Sequence, residues 1–230
     1  VCSSDLNNID NKPMKCLHII TPVKDSIDST LETVKAIMES DILVPFTYTV
    51  YNDFSTEENT HRLEEAARQW NFRLVNLSDL TDHPSPNYLL VLQTAQKEAI
   101  EADAGLLIVE SDVIVKKNTL QSLYNGALQQ KQCGIAAAVT TDEKGVINYP
   151  YLHAKGHENQ VYPEKKHCSF CCSLLTPGLL KAFDFQTLDP SKNWYDVTIS
   201  HESLKRGFKT TCSPRCPYGT GPIAAVRGNN

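Results

Sequence analysis

Three carboxylates stand where a β/α chain exposes its chemistry. Asp53 follows the aromatic and β-branched run Phe46 to Tyr51, and Glu110-Ser111-Asp112 follows the apolar run Gly105 to Val109. In a parallel sheet, ligands bind outside the carboxyl ends of the strands. Crowded carboxylates repel unless a cation joins them, and hard oxygen ligands suit Mg2+ or Mn2+. A divalent ion that also touches phosphates would account for such a cluster. The alternative is helix capping, which Asp performs well at either position. A fourth acid, Asp196 in Trp194-Tyr195-Asp196, opens a helical pattern. There the positive end of the helix dipole suits a carboxylate that accepts a proton, and an N-cap would look the same.

Sulfur and imidazole offer a second chemistry. The chain has eight Cys, one of them Cys2 in the leader discussed below. Cys168-x-x-Cys171-Cys172 and Cys212-x3-Cys216 could give four thiolates to zinc. Their spacing fits only in part, because Cys168 to Cys172 lie largely in an expected strand whose side chains alternate between faces. Buried thiols of a reducing compartment are the competing reading. His153, His157, His167 and His201 could complete a metal shell or bind ligand hydroxyls, and each alone is more often a surface or satisfied polar residue. Trp194 could stack on the ring of a ligand or belong to the core.

These residues need a frame, and strand and helix periods alternate from Cys16 onward. Strands are expected at Leu17 to Ile20, Phe46 to Tyr51, Phe72 to Leu77, Gly105 to Val109, Ile135 to Val139 and Phe170 to Leu175. Helical spacing marks Leu31 to Met38, Tyr88 to Ile100, Leu120 to Leu128 and Asp196 to Arg206, the last ended by Gly207. Ser55 with Glu58 reads as a capping box opening a helix through Trp70. Thr176-Pro177 reads as N-cap and first helical residue. Ser78 to Asn87 is a loop. Tyr149 to His167 breaks the rhythm and reads as a mobile segment over a site. The fold class is therefore α/β, a mostly parallel central sheet flanked by helices on both faces.

Composition narrows the function classes. The 230 residues carry 22 Lys and Arg against 27 Asp and Glu, a formal charge of −5, with 41% hydrophobic residues. That describes a chain able to bury a core, without the basic face that nucleic acid requires. No apolar run approaches the ~18 residues of a membrane span, and no secretory signal precedes Met14. The expectation is a cytoplasmic protein with no transmembrane segment, leaving room for peripheral attachment to a membrane. Val1-Cys2-Ser3-Ser4-Asp5-Leu6 is what the end of a common sequencing adapter would encode, so residues 1–6 read as artefact, and Met14 reads either as the native start or as an internal residue of a longer gene product.

Four motifs occur in order: Thr21-Pro22-Val23 after the first strand, Val50-Tyr51-Asn52-Asp53-Phe54-Ser55, Leu107-Ile108-Val109-Glu110-Ser111-Asp112, and Trp194-Tyr195-Asp196 before a helix ending Lys205-Arg206-Gly207-Phe208-Lys209. In this the chain resembles the family 2 glycosyltransferases of the GT-A fold, from about Lys15 to Ser213. The resemblance implies residues 1–13 as leader, 14–216 as a GT-A-like domain and 217–230 as a C-terminal tail. It implies transfer of a sugar from a nucleotide-diphosphate sugar, a UDP-sugar above all, to an acceptor hydroxyl with inversion. Thr21 and Pro22 would line the base pocket, and Asp53 would accept from the base. Asp112 would hold Mn2+ or Mg2+ between the phosphates, with Glu110 or Ser111 facing the ribose or the metal's waters. Asp196 would be the general base.

Three positions depart from the family pattern: Asn52 and Tyr195 stand where acids are usual, and Glu110 replaces the first Asp of the DXD motif. They motivate a second reading, a protein that binds nucleotide sugar without turnover. A third, a sugar-phosphate nucleotidyltransferase, needs a Gly-rich loop after the first strand. Thr21-Pro22-Val23-Lys24-Asp25 has no Gly.

Overall fold

Apolar runs of five to seven residues bounded by polar turns can bury both faces only in the middle of a layered structure. The computed structural model shows this arrangement. It describes residues 14–142, 144–148, 151, 162–164, 167–213 and 224–226. The leader, most of the aperiodic segment with His153 and His157, Cys216 and most of the tail lie outside the described residues.

Strands β1 (Leu17–Val23), β2 (Phe46–Asn52), β3 (Arg73–Asn76) and β4 (Gly105–Val109) run parallel, in the spatial order β3-β2-β1-β4. After β5 (Val113–Val115) come β6 (Cys133–Ala138), β7 (Thr140–Thr141), β8 (Tyr162–Glu164), β9 (Cys172–Leu175), β10 (Lys209–Ser213) and β11 (Ala224–Val226). The main sheet continues β4-β9-β6-β10-β8, with β9 and β8 antiparallel to their neighbours. A small second sheet has the order β5-β11-β7.

Helices α1 (Ile27–Met38), α2 (Glu57–Trp70) and α4 (Thr119–Gln129) cover one face of the main sheet; α3 (Tyr88–Glu101), α5 (Pro177–Ala182) and α6 (Tyr195–Lys205) cover the other. Alternation along each strand splits the core accordingly. Leu17, Ile19, Leu107, Val109 and Leu174 join the first layer, while Ile20, Leu106, Ile108 and Leu175 join the second. Each side chain of β4 is fully buried, which favours its unbroken apolar sequence.

Several local readings need correction. The cap of α2 is Thr56, whose hydroxyl accepts from Asn59 N at 3.3 Å; Ser55 instead accepts from Asp25 N at 2.9 Å. The Thr176 cap is present, accepting from Leu179 N at 3.4 Å with Pro177 at the start of α5. The strand expected from Phe170 begins only at Cys172. Strand β5 was too short to register as a pattern, β8 lies in the segment read as aperiodic, and Ala224–Val226, within the expected C-terminal tail, pairs as β11. Within that segment Tyr151 is fully buried. No helix among the described residues is long and apolar enough to cross a membrane.

At the amino ends of the strands, His18 is nearly buried, with Nδ1 2.8 Å from Thr47 Oγ1. Its Nε2 lies 3.2 Å from Glu98 Oε2, close enough for ion pairing but out of line for a hydrogen bond. Burial pulls the His18 pKa below its ordinary 6.5; Glu98 opposes that shift and Arg73 adds to it. The unfolded chain therefore binds a proton that the folded chain refuses, between pH 6.5 and the lower folded value. Stability should fall as pH drops through that window. We expect His18→Gln to flatten this part of the profile, read as melting temperature against pH, and an unchanged slope would contradict it.

Candidate active site

Because β1, β2 and β4 are neighbours and parallel, their carboxyl ends open on one edge, and the residues after them share it. The backbone ties this edge together. Asp53 N donates to Val23 O at 2.8 Å, and Glu110 N donates to Cys171 O at 3.0 Å, bringing the segment before β9 alongside the end of β4. A tight turn follows, closed by Val113 N donating to Glu110 O at 3.1 Å. Thr33 Oγ1 of α1 donates to Ser111 O at 3.1 Å and fixes that turn against the helix.

Within this turn Glu110, Ser111 and Asp112 are all half-buried. Burial raises the Glu110 carboxyl above its ordinary range, a hydrogen bond from the Cys171 thiol lowers it, and the negative fields of Asp112 and Asp196 raise it again. Burial likewise raises Asp112, partly offset by its own backbone N–H. Asp196 comes from α6, as the second residue of its first turn, and its carboxylate accepts from Val197 N at 2.8 Å. The N-cap is Trp194, so helix capping does not explain Asp196.

Two further groups belong to this cluster: Tyr88, which had no role in the sequence reading, and Cys171, read there as a candidate zinc ligand. Tyr88, the first residue of α3, buries a phenolic oxygen that has no hydrogen-bond partner among the described residues. Burial holds its pKa well above the ordinary value, and Glu110, Asp196 and Cys171 all add to the shift. Its ring packs against that of Tyr195, with centroids 6.3 Å apart. Cys171 stands opposite Glu110; burial and the nearby carboxylates keep its thiol protonated, and Ser169 Oγ lies 2.9 Å from its sulfur. No residue pattern announces that either group meets Glu110, since both are brought there by chain segments remote in sequence.

Asp53 sits on the same edge, two strands from Glu110. Its carboxylate accepts from Ser85 Oγ at 2.7 Å, Asn87 N at 2.8 Å and Asn87 Nδ2 at 2.8 Å. It thereby anchors the loop before α3 and places Tyr88. A carboxylate has about four acceptor sites, so one on Oδ1 is left for a ligand. Thr21 is fully buried, its hydroxyl accepting from Tyr48 at 2.9 Å, so of the expected pair only Pro22 is half-exposed. Asn52 is 3% exposed and donates from Nδ2 to Thr60 Oγ1 and Asn76 Oδ1, both at 2.9 Å. A carboxylate there could donate neither bond.

Among the described residues no three His, Cys, Asp or Glu side chains are grouped to hold a metal ion. The sulfur arrangement explains this for zinc. Cys172 lies in one core layer and Cys168 and Cys212 in the other, while Cys171 faces Glu110. His167 is half-buried and His201 exposed. The edge instead fits an ion held by one or two carboxylates and completed by water and phosphate, as Mg2+ commonly is. The charges acting on Glu110 are both negative, and a cation there would relieve them.

The sequence matches no protein-family model and no curated protein. Solved structures do match in three dimensions. S. aureus TarS 1-349 superposes with a TM-score of 0.66 at 16% identity, over 93% of this chain and 60% of that one. Its complex with UDP-GlcNAc gives 0.64 at 17% identity, over 94% and 59%. The mannosyltransferase PcManGT from Pyrobaculum calidifontis, in complex with GDP-Man and Mn2+, gives 0.62 at 13% identity, over 93% and 56%. The chain thus spans less than two thirds of each. At this identity the shared property is the fold, a GT-A-like α/β domain with a mostly parallel sheet flanked by helices.

Proposed function

We propose that this chain is an inverting glycosyltransferase of family 2, taking its sugar from a nucleotide diphosphate, with a UDP-sugar favoured, and passing it to an acceptor hydroxyl. The observation that supports the reading is that Glu110, in the turn after β4, lies within the fields of Asp112 and Asp196, beside the buried Tyr88, whose ring packs on that of Tyr195. It gains support from the nucleotide sugars bound by proteins of the same fold, UDP-GlcNAc in one and GDP-Man with Mn2+ in another.

The roles follow from placement. Asp112 would hold Mn2+ or Mg2+, which when bound supplies positive charge to a departing diphosphate. Ser111, fixed through its carbonyl, and Glu110 would face the ribose or the ion's water. Pro22 would border the base, with buried Thr21 setting its backbone, and Asp53 Oδ1 would accept from the base. Asp196 would take the acceptor proton as the oxygen attacks the anomeric carbon. Turnover fits better than passive binding, because the departure at Asn52 serves a hydrogen-bond network and leaves the acids at the site in place.

The test is thermal melting with UDP, with GDP and with neither, each with and without Mn2+. A ligand at a hundred times its Kd adds about 2.7 kcal/mol, which moves the melting point of a domain this size by about 5–10 °C. We expect that shift with UDP only when Mn2+ is present. No shift with either nucleotide would end the reading.

A further inference from the structure

At the amino ends of the strands, away from the edge that holds Glu110, lies a cleft of about 640 Å3. His18 of β1, Thr47 and Thr49 of β2, Arg73 of β3 and Glu98 of α3 line it. The His18 side chain is only 7% exposed, and its Nε2 has no hydrogen-bond partner among the described residues. A polar atom buried to this degree calls for a partner.

The surroundings of Nε2 say which kind. Glu98 Oε2 lies 3.2 Å away, yet out of line for a hydrogen bond. Two ligands of one small cation stand at such a separation, because bonds of about 2.0–2.1 Å put neighbouring donor atoms roughly 3.0–3.4 Å apart. Behind each atom stands a group of the sort that holds metal ligands in place. Thr47 Oγ1, 2.8 Å from His18 Nδ1, can accept the ring N–H and leave a lone pair on Nε2. Arg73 donates to Glu98 and, from Nε, to Thr49 Oγ1 at 3.0 Å, which anchors the carboxylate. Arg73 opposes a second positive charge here, but the last turn of α3 carries no basic residue and its dipole end is negative. Glu101, from that turn, lines the cleft as well.

An imidazole nitrogen beside a carboxylate suits Zn2+, whereas Mg2+ prefers oxygen alone. Among the described residues no third His, Cys, Asp or Glu is grouped with the pair, so water from the cleft completes the shell. Cys16 lines the cleft, but its thiol is directed to Ala102 O, 3.9 Å away. We propose that His18 Nε2 and Glu98 form an open, exchangeable zinc site that ties β1 to the C-terminal end of α3. The ion enters with a shift of the Glu98 carboxylate, whose side chain is 32% exposed. None of these residues belongs to the acid edge, so the site is independent of the transferase reading.

The experiment adds Zn2+ or Mg2+ to the nucleotide-free chain with a reductant present, and follows melting together with the nitrogen NMR signals of the histidine rings. At a hundred times its Kd, zinc should raise the melting point by about 5–10 °C. It should also move the Nε2 signal of His18, and Mg2+ at that concentration should do neither. Thr47→Val, which removes only the support of Nδ1, should weaken zinc about 10–100-fold, and Glu98→Gln or His18→Gln by more. Asp112→Asn should keep the whole effect. The wild-type ring signal decides even where His18→Gln folds poorly. An unmoved His18 ring, or a zinc-induced shift undiminished in both Glu98→Gln and Thr47→Val, would overturn the site even if zinc binds elsewhere on the chain.

Discussion

Asp196→Asn should lower sugar transfer by about 10²–10⁴-fold, the usual contribution of a positioned general base, while nucleotide binding persists. The change is well isolated by the structure. Asp196 lies in the first turn of α6 but Trp194 holds the cap, and among the described residues its carboxylate accepts from Val197 N. An asparagine oxygen can accept that bond as well. What the amide cannot do is accept a proton at neutral pH. The measurement is product formation with the donor that stabilises the protein, alongside melting of the same variant with UDP and Mn2+. Transfer retained above about a tenth of wild type would remove Asp196 from the base role.

How far this site could be foreseen depends on which forces set each residue. The edge itself was legible, because apolar runs such as Gly105 to Val109 can only be buried strands and acids following them sit at strand ends. The helix spacing after Thr176-Pro177 was legible for the same reason: capping is local chemistry. Ser55 misled because it matched a capping box with Glu58, while its hydroxyl was claimed by Asp25 across 30 residues of chain. The pairing of β9 against β4 was hidden, since antiparallel and parallel burial give the same apolar sequence. With it were hidden the Cys171 thiol on Glu110 and the separation of Cys168 from Cys172. Thr21 could be numbered but not oriented: alternation along β1 turns its hydroxyl toward Tyr48. The exposure of Trp194 likewise follows from tertiary packing and not from any spacing.

The cluster of like charges gives the second large effect, and it has two signs. Asp112→Asn should abolish the Mn2+-dependent part of the UDP-induced melting shift, weakening UDP in Mn2+ by at least about tenfold, or 1.4 kcal/mol. The same variant without metal or nucleotide should melt no lower than wild type. Glu110, Asp112 and Asp196 are all half-buried carboxylates, and the fields of both neighbours disfavour a charge on Glu110. Removing one charge relieves the others, whereas a side chain kept for packing would lose stability when changed. The pair of outcomes separates the roles. An unchanged Mn2+-dependent shift would mean that Asp112 holds no ion. A lower melting point in the metal-free protein would mean that the carboxylate is retained for the fold, and the acids at this edge would then need an explanation other than a cation.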